Sequence, residues 1–170
     1  MSAQPSSIPK MSQPDVSQPA ASQPAIAPTP RFFKMEALLP TQGREDIPMA
    51  KAGGMSVVLK TYAKAGENEL HAHLNEDHTF IILQGEAEFY GPNGEKRRAG
   101  KNEGVLIPRG TFYWFVACGD EPLVMARIGS AIEPGADTDL RVNSKGAYMD
   151  PFSTENKQVE LIHSKDSGFK

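Results

Sequence analysis

Three of the four histidines in this chain lie within eight consecutive residues, at His71, His73 and His78. Residues two apart along a β-strand point to the same face, so His71 and His73 are predicted to project side by side. His78 opens the next run of β-forming residues, and a tight turn between the runs would bring it to the same place. Three neutral imidazoles that converge on one point predict a site for a divalent transition metal.

The alternative is a chance grouping, because histidines are common on surface hairpins. The neighbouring residues argue against it. His71 and His73 are flanked by apolar residues, and His78 alternates with Phe80 and Ile82. This alternation predicts that all three histidines lie on the inner face of a sheet or barrel.

The residues that surround the cluster form short β-like runs separated by turn residues. No window before residue 130 shows a helical period of adequate length. Many short strands at close spacing predict an all-β sandwich or barrel. The predicted strands lie at residues 31–35, 55–63, 69–74, 78–84, 86–90, 95–99, 104–108, 111–118 and 122–128.

The chain divides into three parts by composition. Residues 1–30 consist almost wholly of Ser, Gln, Pro and Ala, which predicts a disordered tail. Residues 31–132 are predicted to form the β-barrel. Residues 133–170 are a polar C-terminal extension in which residues 159–163 (VELIH) could form one edge strand against a neighbouring subunit.

Charge and cysteine content limit the function classes. The formal net charge of −3 and the lack of a large basic cluster argue against a nucleic-acid partner. Cys118 is the single cysteine, so no intramolecular disulfide can form and a reducing compartment is compatible. The first residues lack the apolar core of a secretory signal, and no run approaches the roughly 20 apolar residues of a membrane span. We therefore expect a cytoplasmic protein with no membrane partner.

Residues 65–85 resemble the first motif of the cupin superfamily. That motif has a glycine, a His-x-His pair, a glutamate, and a second glycine seven positions after the glutamate. His71 and His73 match the pair and Gly85 matches the closing glycine, while the opening glycine is displaced by one position, to Gly66. His78 stands at the position of the glutamate.

Residues 102–117 resemble the second cupin motif in part. Pro108 and Gly110 match, but Tyr113 stands where the motif has a histidine. The resemblance implies a single cupin barrel, also called a double-stranded β-helix or jelly roll, which is commonly built as a homodimer. It also implies metal ligands that point into one open end.

The resemblance and the substitutions together imply the chemistry of the site. Replacement of an anionic glutamate by a neutral imidazole at His78 favours borderline ions, with Fe(II) first and Zn(II) or Ni(II) as alternatives. Tyr113 is the candidate catalytic residue, as an ionised ligand, an acid–base group or a hydrogen-bond donor, but it could also simply fill the barrel. Glu76 and Asp77 are predicted to lie in a solvated turn, with the alternative that either carboxylate orients a ligand imidazole through its second nitrogen. The candidate substrate-binding residues are Phe80, Ile82, Phe89, Arg109 and Phe115.

Three functions fit these residues. The first is a non-haem metal-dependent oxygenase that acts on a small organic substrate, for which the apolar candidates predict a small aromatic or aliphatic molecule. The second is a non-redox isomerase, lyase or cyclase in which Zn(II) or Ni(II) polarises a carbonyl and Tyr113 moves a proton. The third is a small-molecule-binding module without catalysis.

Overall fold

The computed structural model describes residues 29–63, 68–151, 153 and 159–170. This part of the chain contains twelve β-strands and no helix. Most of the predicted disordered tail and Gly66 lie outside the described residues. The strands are β1 (Ala37–Gln42), β2 (Arg44–Ala52), β3 (Met55–Tyr62), β4 (His71–His73), β5 (Glu76–Gln84), β6 (Glu86–Tyr90), β7 (Lys96–Gly100), β8 (Gly104–Ile107), β9 (Trp114–Cys118), β10 (Leu123–Ala131), β11 (Arg141–Asn143) and β12 (Ile162–Phe169).

Eight of the nine predicted strands overlap strands β3 to β10. The prediction at residues 31–35 is wrong, because no strand forms there and β1 begins only at Ala37. β1 and β2 were missed because Pro40 and Pro48 and the acidic residues of β2 obscure the alternation. Both strands lie at sheet edges, where a proline costs the fewest hydrogen bonds.

Two antiparallel sheets enclose the main core. One has the strand order β2-β3-β10-β5-β8 and the other has the order β7-β6-β9. Their inner faces contribute to one apolar cluster, which includes Tyr62 of β3, Phe80 of β5, Phe89 of β6, Phe115 of β9 and Met125 of β10. Two sheets closed around one core confirm the predicted all-β jelly-roll barrel.

A two-stranded sheet of β1 and β12 packs on the outside of the barrel. Its Leu39 lies in a second apolar cluster with Leu59 of β3 and Val124 of β10. The predicted edge strand at residues 159–163 begins later than expected, at Ile162, and it pairs with β1 of the same chain. Its packing on a neighbouring subunit stays a prediction.

Gly85 makes the tight connection between β5 and β6. Its φ is +70°, and a Cβ atom there would lie 2.9 Å from the carbonyl oxygen of Pro122. Both facts favour glycine, because a residue with a side chain is strained at this φ and its Cβ would clash with the Pro122 carbonyl. The closing glycine of the first motif therefore has a local structural reason.

Short strands complete one end of the barrel. β4 pairs with β11, which places His73 opposite Arg141. On its other side β4 meets Tyr113, because the backbone N–H groups of His71 and Tyr113 each donate to the carbonyl of the other residue, at 3.1 and 2.9 Å. The two candidate residues are thus held side by side by main-chain hydrogen bonds.

Candidate metal and substrate site

The three predicted histidines come together inside the barrel. All are almost fully buried, at 1% exposure for His71, 5% for His73 and 2% for His78. The ring centroids of His73 and His78 are 4.2 Å apart, and those of His71 and His73 are 5.2 Å apart. The predicted inward orientation on β4 and β5 is confirmed.

Backbone carbonyls set the tautomers of two of these rings. His71 Nδ1 lies 2.7 Å from the carbonyl oxygen of Glu69, and His73 Nδ1 lies 3.4 Å from that of Thr138. A carbonyl only accepts, so Nδ1–H donates in both cases and Nε2 keeps its lone pair. Partners of this kind orient metal-ligating histidines in general.

The three imidazoles are neutral near pH 7. Burial lowers the pKa of His71 to about 4 and lowers the pKa values of His73 and His78 as well. The like charge of His78 adds to the effect on His73. Neutral imidazole is the form that binds a metal, so no proton has to be displaced from His71 or His73.

Glu76 does not lie in a solvated turn as predicted, and its contact with His78 matches the alternative in which the carboxylate orients an imidazole. Strand β5 begins at Glu76 rather than at His78, so the two residues are two apart on one strand and share its inner face. Glu76 is only 2% exposed. The signal in the sequence was this two-residue spacing, which the assumed turn concealed. Asp77 points the other way and accepts hydrogen bonds from Arg109.

The Glu76 carboxylate is the centre of a buried polar network. It accepts hydrogen bonds from Ser56 Oγ at 3.2 Å, Arg127 Nη1 at 3.1 Å and His78 Nε2 at 2.6 Å. Burial alone would raise the pKa of Glu76, but the hydrogen bond from His78 and the charge of Arg127 hold it below its usual value. Glu76 is therefore an anion at neutral pH.

Gly129 makes room for this carboxylate. It lies opposite His78 in the β10–β5 pairing, and a Cβ atom on it would sit 2.0 Å from Glu76 Oε1 and 2.7 Å from Ser56 Oγ. Non-bonded contacts of a Cβ atom are not this short in proteins, so any side chain at this position would displace the Glu76 carboxylate.

His73, Glu76 and His78 form the candidate metal cluster of the described residues. One potential ligand atom from each lies within 4.8 Å of the others. His71 is outside this group, so the cluster differs from the predicted three-histidine set in one member. Two histidines and one carboxylate are the ligand type of many non-haem Fe(II) centres.

Tyr113 is buried, at 5% exposure, and its hydroxyl lies 3.2 Å from His78 Nδ1. The Glu76 carboxylate can only accept, so His78 Nε2 carries the proton and Nδ1 accepts from the Tyr113 hydroxyl. Burial raises the pKa of Tyr113 well above its usual value. The phenol is therefore protonated, and of the three predicted chemical roles the hydrogen-bond donor matches this state best.

A cavity of about 140 Å³ opens beside these groups. Of the predicted substrate-binding residues, Phe80 and Phe115 line it. Ile82 and Phe89 belong to the apolar core, while Arg109 is an exposed loop residue bonded to Asp77.

The cavity lining is more polar than the apolar candidates predict. Besides the histidines and Tyr113, the charged residues that line the cavity are Arg44, Asp46, Lys60, Arg127, Asp139 and Arg141. Arg127 could have been identified from the sequence, because it alternates with inward Leu123 and Met125 on β10. Arg141 gave no signal, because it lies in the polar segment after the predicted barrel.

A family model described as "Cupin domain" matches residues 58–129. The chain contains a cupin domain. The match runs from β3 into β10 and so covers the strands that carry His71, His73, Glu76, His78 and Arg127. No sequence among curated proteins matches the chain.

Several solved structures are similar to the cupin domain. A conserved protein with a double-stranded β-helix domain from Klebsiella pneumoniae is 20% identical, with 54% of this chain and 76% of that chain covered and a TM-score of 0.47. KdgF from Halomonas sp. is 21% identical, with 52% and 81% covered and a TM-score of 0.48. A cupin-2 domain containing protein from Shewanella frigidimarina is 21% identical, with 53% and 79% covered and a TM-score of 0.44. These scores are below 0.5, so the fold assignment rests on the strand arrangement and the family match.

The described residues of the cupin domain and its flanking strands contain no helix with the length and apolar character that a membrane crossing requires. The cytoplasmic location and the homodimer stay predictions.

Proposed function

We propose that this cupin domain is a metal-dependent oxygenase that holds Fe(II) at His73, Glu76 and His78 and acts on a small organic substrate. The observation that carries the proposal is the buried group of two imidazoles and one carboxylate with ligand atoms within 4.8 Å. Two neutral histidines and one anion suit Fe(II), with Zn(II) as the nearest alternative, whereas Mg(II) and Ca(II) prefer oxygen ligands.

The network around the cluster supports metal binding. The carbonyl of Thr138 accepts a hydrogen bond from His73 Nδ1, which leaves the lone pair of Nε2 available to a metal. Arg127 and Ser56 hold Glu76 as an anion in a defined orientation. His78 would exchange its hydrogen bond to Glu76 for a bond to the metal, because its Nε2 is the atom that now faces the carboxylate. Three protein ligands leave coordination positions open, at which a bound Fe(II) would activate dioxygen and orient a substrate.

The side chains around the cluster have separate tasks. Phe80 and Phe115 are apolar side chains of the cavity lining and would pack against the carbon atoms of a substrate. Tyr113, protonated and 3.2 Å from His78 Nδ1, is the nearest phenolic proton donor to a bound substrate. Arg127 keeps a positive charge beside Glu76, which limits the net negative charge of the site.

A non-redox enzyme is the second candidate function, and the contact between Tyr113 and His78 favours it. A protonated phenol bonded to an imidazole can pass a proton to a substrate without any change of oxidation state. In that case Zn(II) would replace Fe(II), and the reaction would be an isomerisation, elimination or cyclisation.

Metal analysis of the full chain, purified without a histidine tag, tests the proposal. After anaerobic reconstitution with Fe(II), we expect close to one equivalent in the wild type and a large loss in His73→Ala and Glu76→Gln. The matched control is His163→Ala, since His163 bonds Glu45 on the outer strands. Less than about a tenth of an equivalent in the wild type would leave only the non-catalytic binding module.

Two further measurements separate the remaining readings. His71→Ala distinguishes the observed cluster from the three-histidine set, because it should keep the metal if Glu76 is the third ligand. Oxygen uptake by the Fe(II) protein with candidate substrates separates the oxygenase from the non-redox enzyme. Turnover with Zn(II) and without oxygen uptake would favour the second candidate.

A further inference from the structure

The charged lining of the cavity limits the chemistry of its ligand. Four cationic side chains but only two carboxylates line it. Asp46 neutralises Lys60, whose Nζ lies 2.6 Å from Asp46 Oδ1. Glu76, whose Oε2 lies 3.1 Å from Arg127 Nη1, neutralises Arg127. Asp139 is the lining carboxylate that remains to offset Arg44 and Arg141, and it interacts with Arg141, so the lining keeps a net positive charge that would attract an anion.

Arg141 is the arginine best placed to bind such an anion. It lies opposite His73 in the pairing of β11 with β4, and its side chain lines the cavity. Its Nε atom is buried and has no hydrogen-bond partner among the described residues. A buried donor without a partner is costly, so a ligand that accepts from it would be favoured.

Arg127 presents a second donor of the same kind. Its Nη atoms donate to Glu76 and Ser56, but its buried Nε has no partner among the residues that the structure describes. Arg141 and Arg127 both line the cavity beside Tyr113 and His78. The site therefore offers unused N–H donors from two guanidinium groups.

Geometry and size select the class of anion. A guanidinium has planar, fork-like donors that match the two oxygens of a carboxylate. The cavity volume of about 140 Å³ is close to that of an engineered cavity that accommodates benzene, at roughly 150 Å³. The space thus suits a short-chain carboxylic acid and excludes a nucleotide or a sugar chain.

We propose that the cavity binds a small carboxylate, with the Arg141 guanidinium as its main partner beside His73. As the substrate class of the enzyme, this inference rests on the function proposed above. The binding itself needs no contact with a metal, because Arg141, Arg127 and Tyr113 supply the hydrogen-bond donors.

Calorimetric titration of the metal-free full chain with malonate is the direct test. The chelator used to remove metal is dialysed away first, because it is itself a carboxylate. Malonamide is the neutral probe of the same shape, and inorganic phosphate is the alternative anion. We expect malonate to bind, to raise the Tm in proportion to its saturation, and to bind more tightly than either of the other two.

Variants at Arg141 test the assignment of the partner. Arg141→Gln should weaken malonate binding by about 10- to 100-fold, the effect of one lost charge-assisted contact. Arg141→Lys keeps the positive charge but lacks the paired donors of a guanidinium, so its affinity for malonate should lie between those of the wild type and Arg141→Gln. The control is Arg97→Gln, which removes the same charge from an exposed position on β7 and should leave binding unchanged.

Several outcomes would overturn the inference. Equal binding of malonate and malonamide would show that charge plays no part, and tighter binding of phosphate would assign a different anion. Unchanged affinity in Arg141→Gln would remove Arg141 from the site. If that variant does not fold, the malonate and malonamide comparison and Arg141→Lys decide the matter. Fe(II) content is measured separately, so malonate binding without metal would retain this site and reject the proposed enzyme.

Discussion

Substitution of Gly129 by alanine should break the Glu76 network while leaving the backbone conformation accessible. The added Cβ would lie 2.0 Å from Glu76 Oε1 and 2.4 Å from its Cδ, and 2.7 Å from Ser56 Oγ. Gly129 lies within β10 and does not have a positive φ, so alanine faces no backbone penalty there. The effect should therefore be almost entirely steric and electrostatic.

The size of the effect follows from what Glu76 would lose. A displaced Glu76 gives up its contacts with Ser56, His78 and Arg127, and it leaves a partly buried guanidinium without its counter-ion. Breaking a buried ion pair costs about 3–5 kcal/mol. The lower unfolded-state entropy of alanine offsets about 0.4–1 kcal/mol. We expect a net loss of about 2–4 kcal/mol in the free energy of unfolding, or roughly 10 °C in Tm.

Urea unfolding of the metal-free protein measures this loss, and Fe(II) content gives a second readout. Gly100→Ala is the matched control, because Gly100 also lies in a strand and its Cβ would meet nothing closer than 3.8 Å. The double variant Glu76→Ala/Gly129→Ala completes a cycle. Once the carboxylate is gone, Gly129→Ala should cost little. Equal stability of the Gly129 and Gly100 variants, or additive effects in the cycle, would refute the steric account.

Three further predictions concern neighbouring groups. Tyr113→Phe should lower kcat by about 10²-fold or more with metal retained, because the phenolic proton donor to the substrate is lost; an unchanged rate would identify Tyr113 as a packing residue. The burial-lowered pKa of His71, about 4 against 6.5 when unfolded, means that the unfolded chain binds the extra proton. His71 should therefore contribute a loss of about 3 kcal/mol in the stability of the metal-free protein as the pH falls from 6.5 towards 4, and His71→Gln should remove this part of the decline in urea titrations. Gly85→Ala should cost about 1–3 kcal/mol in the same assay, because its φ of +70° and the Pro122 carbonyl both oppose a side chain.

Much of the barrel was predictable from local patterns. The alternation of His78, Phe80 and Ile82 correctly identified the inner face of β5, because side chains in a strand alternate whatever the strand packs against. The His-x-His pair and Gly85 likewise carried the resemblance to a cupin. β1 and β2 were missed because edge strands can carry prolines and charges, which a pattern of alternation does not recognise.

The site was predicted in part. Burial of the three histidines and the position of Tyr113 beside them follow from strand alternation and the second motif. The start of β5 was predicted two residues too late, so Glu76 was assigned to a turn instead of to the inner face of the strand. Periodicity locates the ends of strands poorly. The charged lining was missed in part because three of its residues, Arg44, Asp46 and Arg141, lie on strands that the sequence did not predict.

The sequence by itself determined the strand-rich fold and the convergence of His71, His73 and His78, since both depend on the two-residue repeat of a β-strand. Only the tertiary structure decided which groups share the site with them. Arg127 reaches Glu76 across the β10–β5 pairing, Gly129 leaves the space that the carboxylate fills, and Arg141 arrives on β11 from about 70 residues away in sequence. Such contacts depend on the register between strands that are distant in the chain, and no local pattern encodes that register.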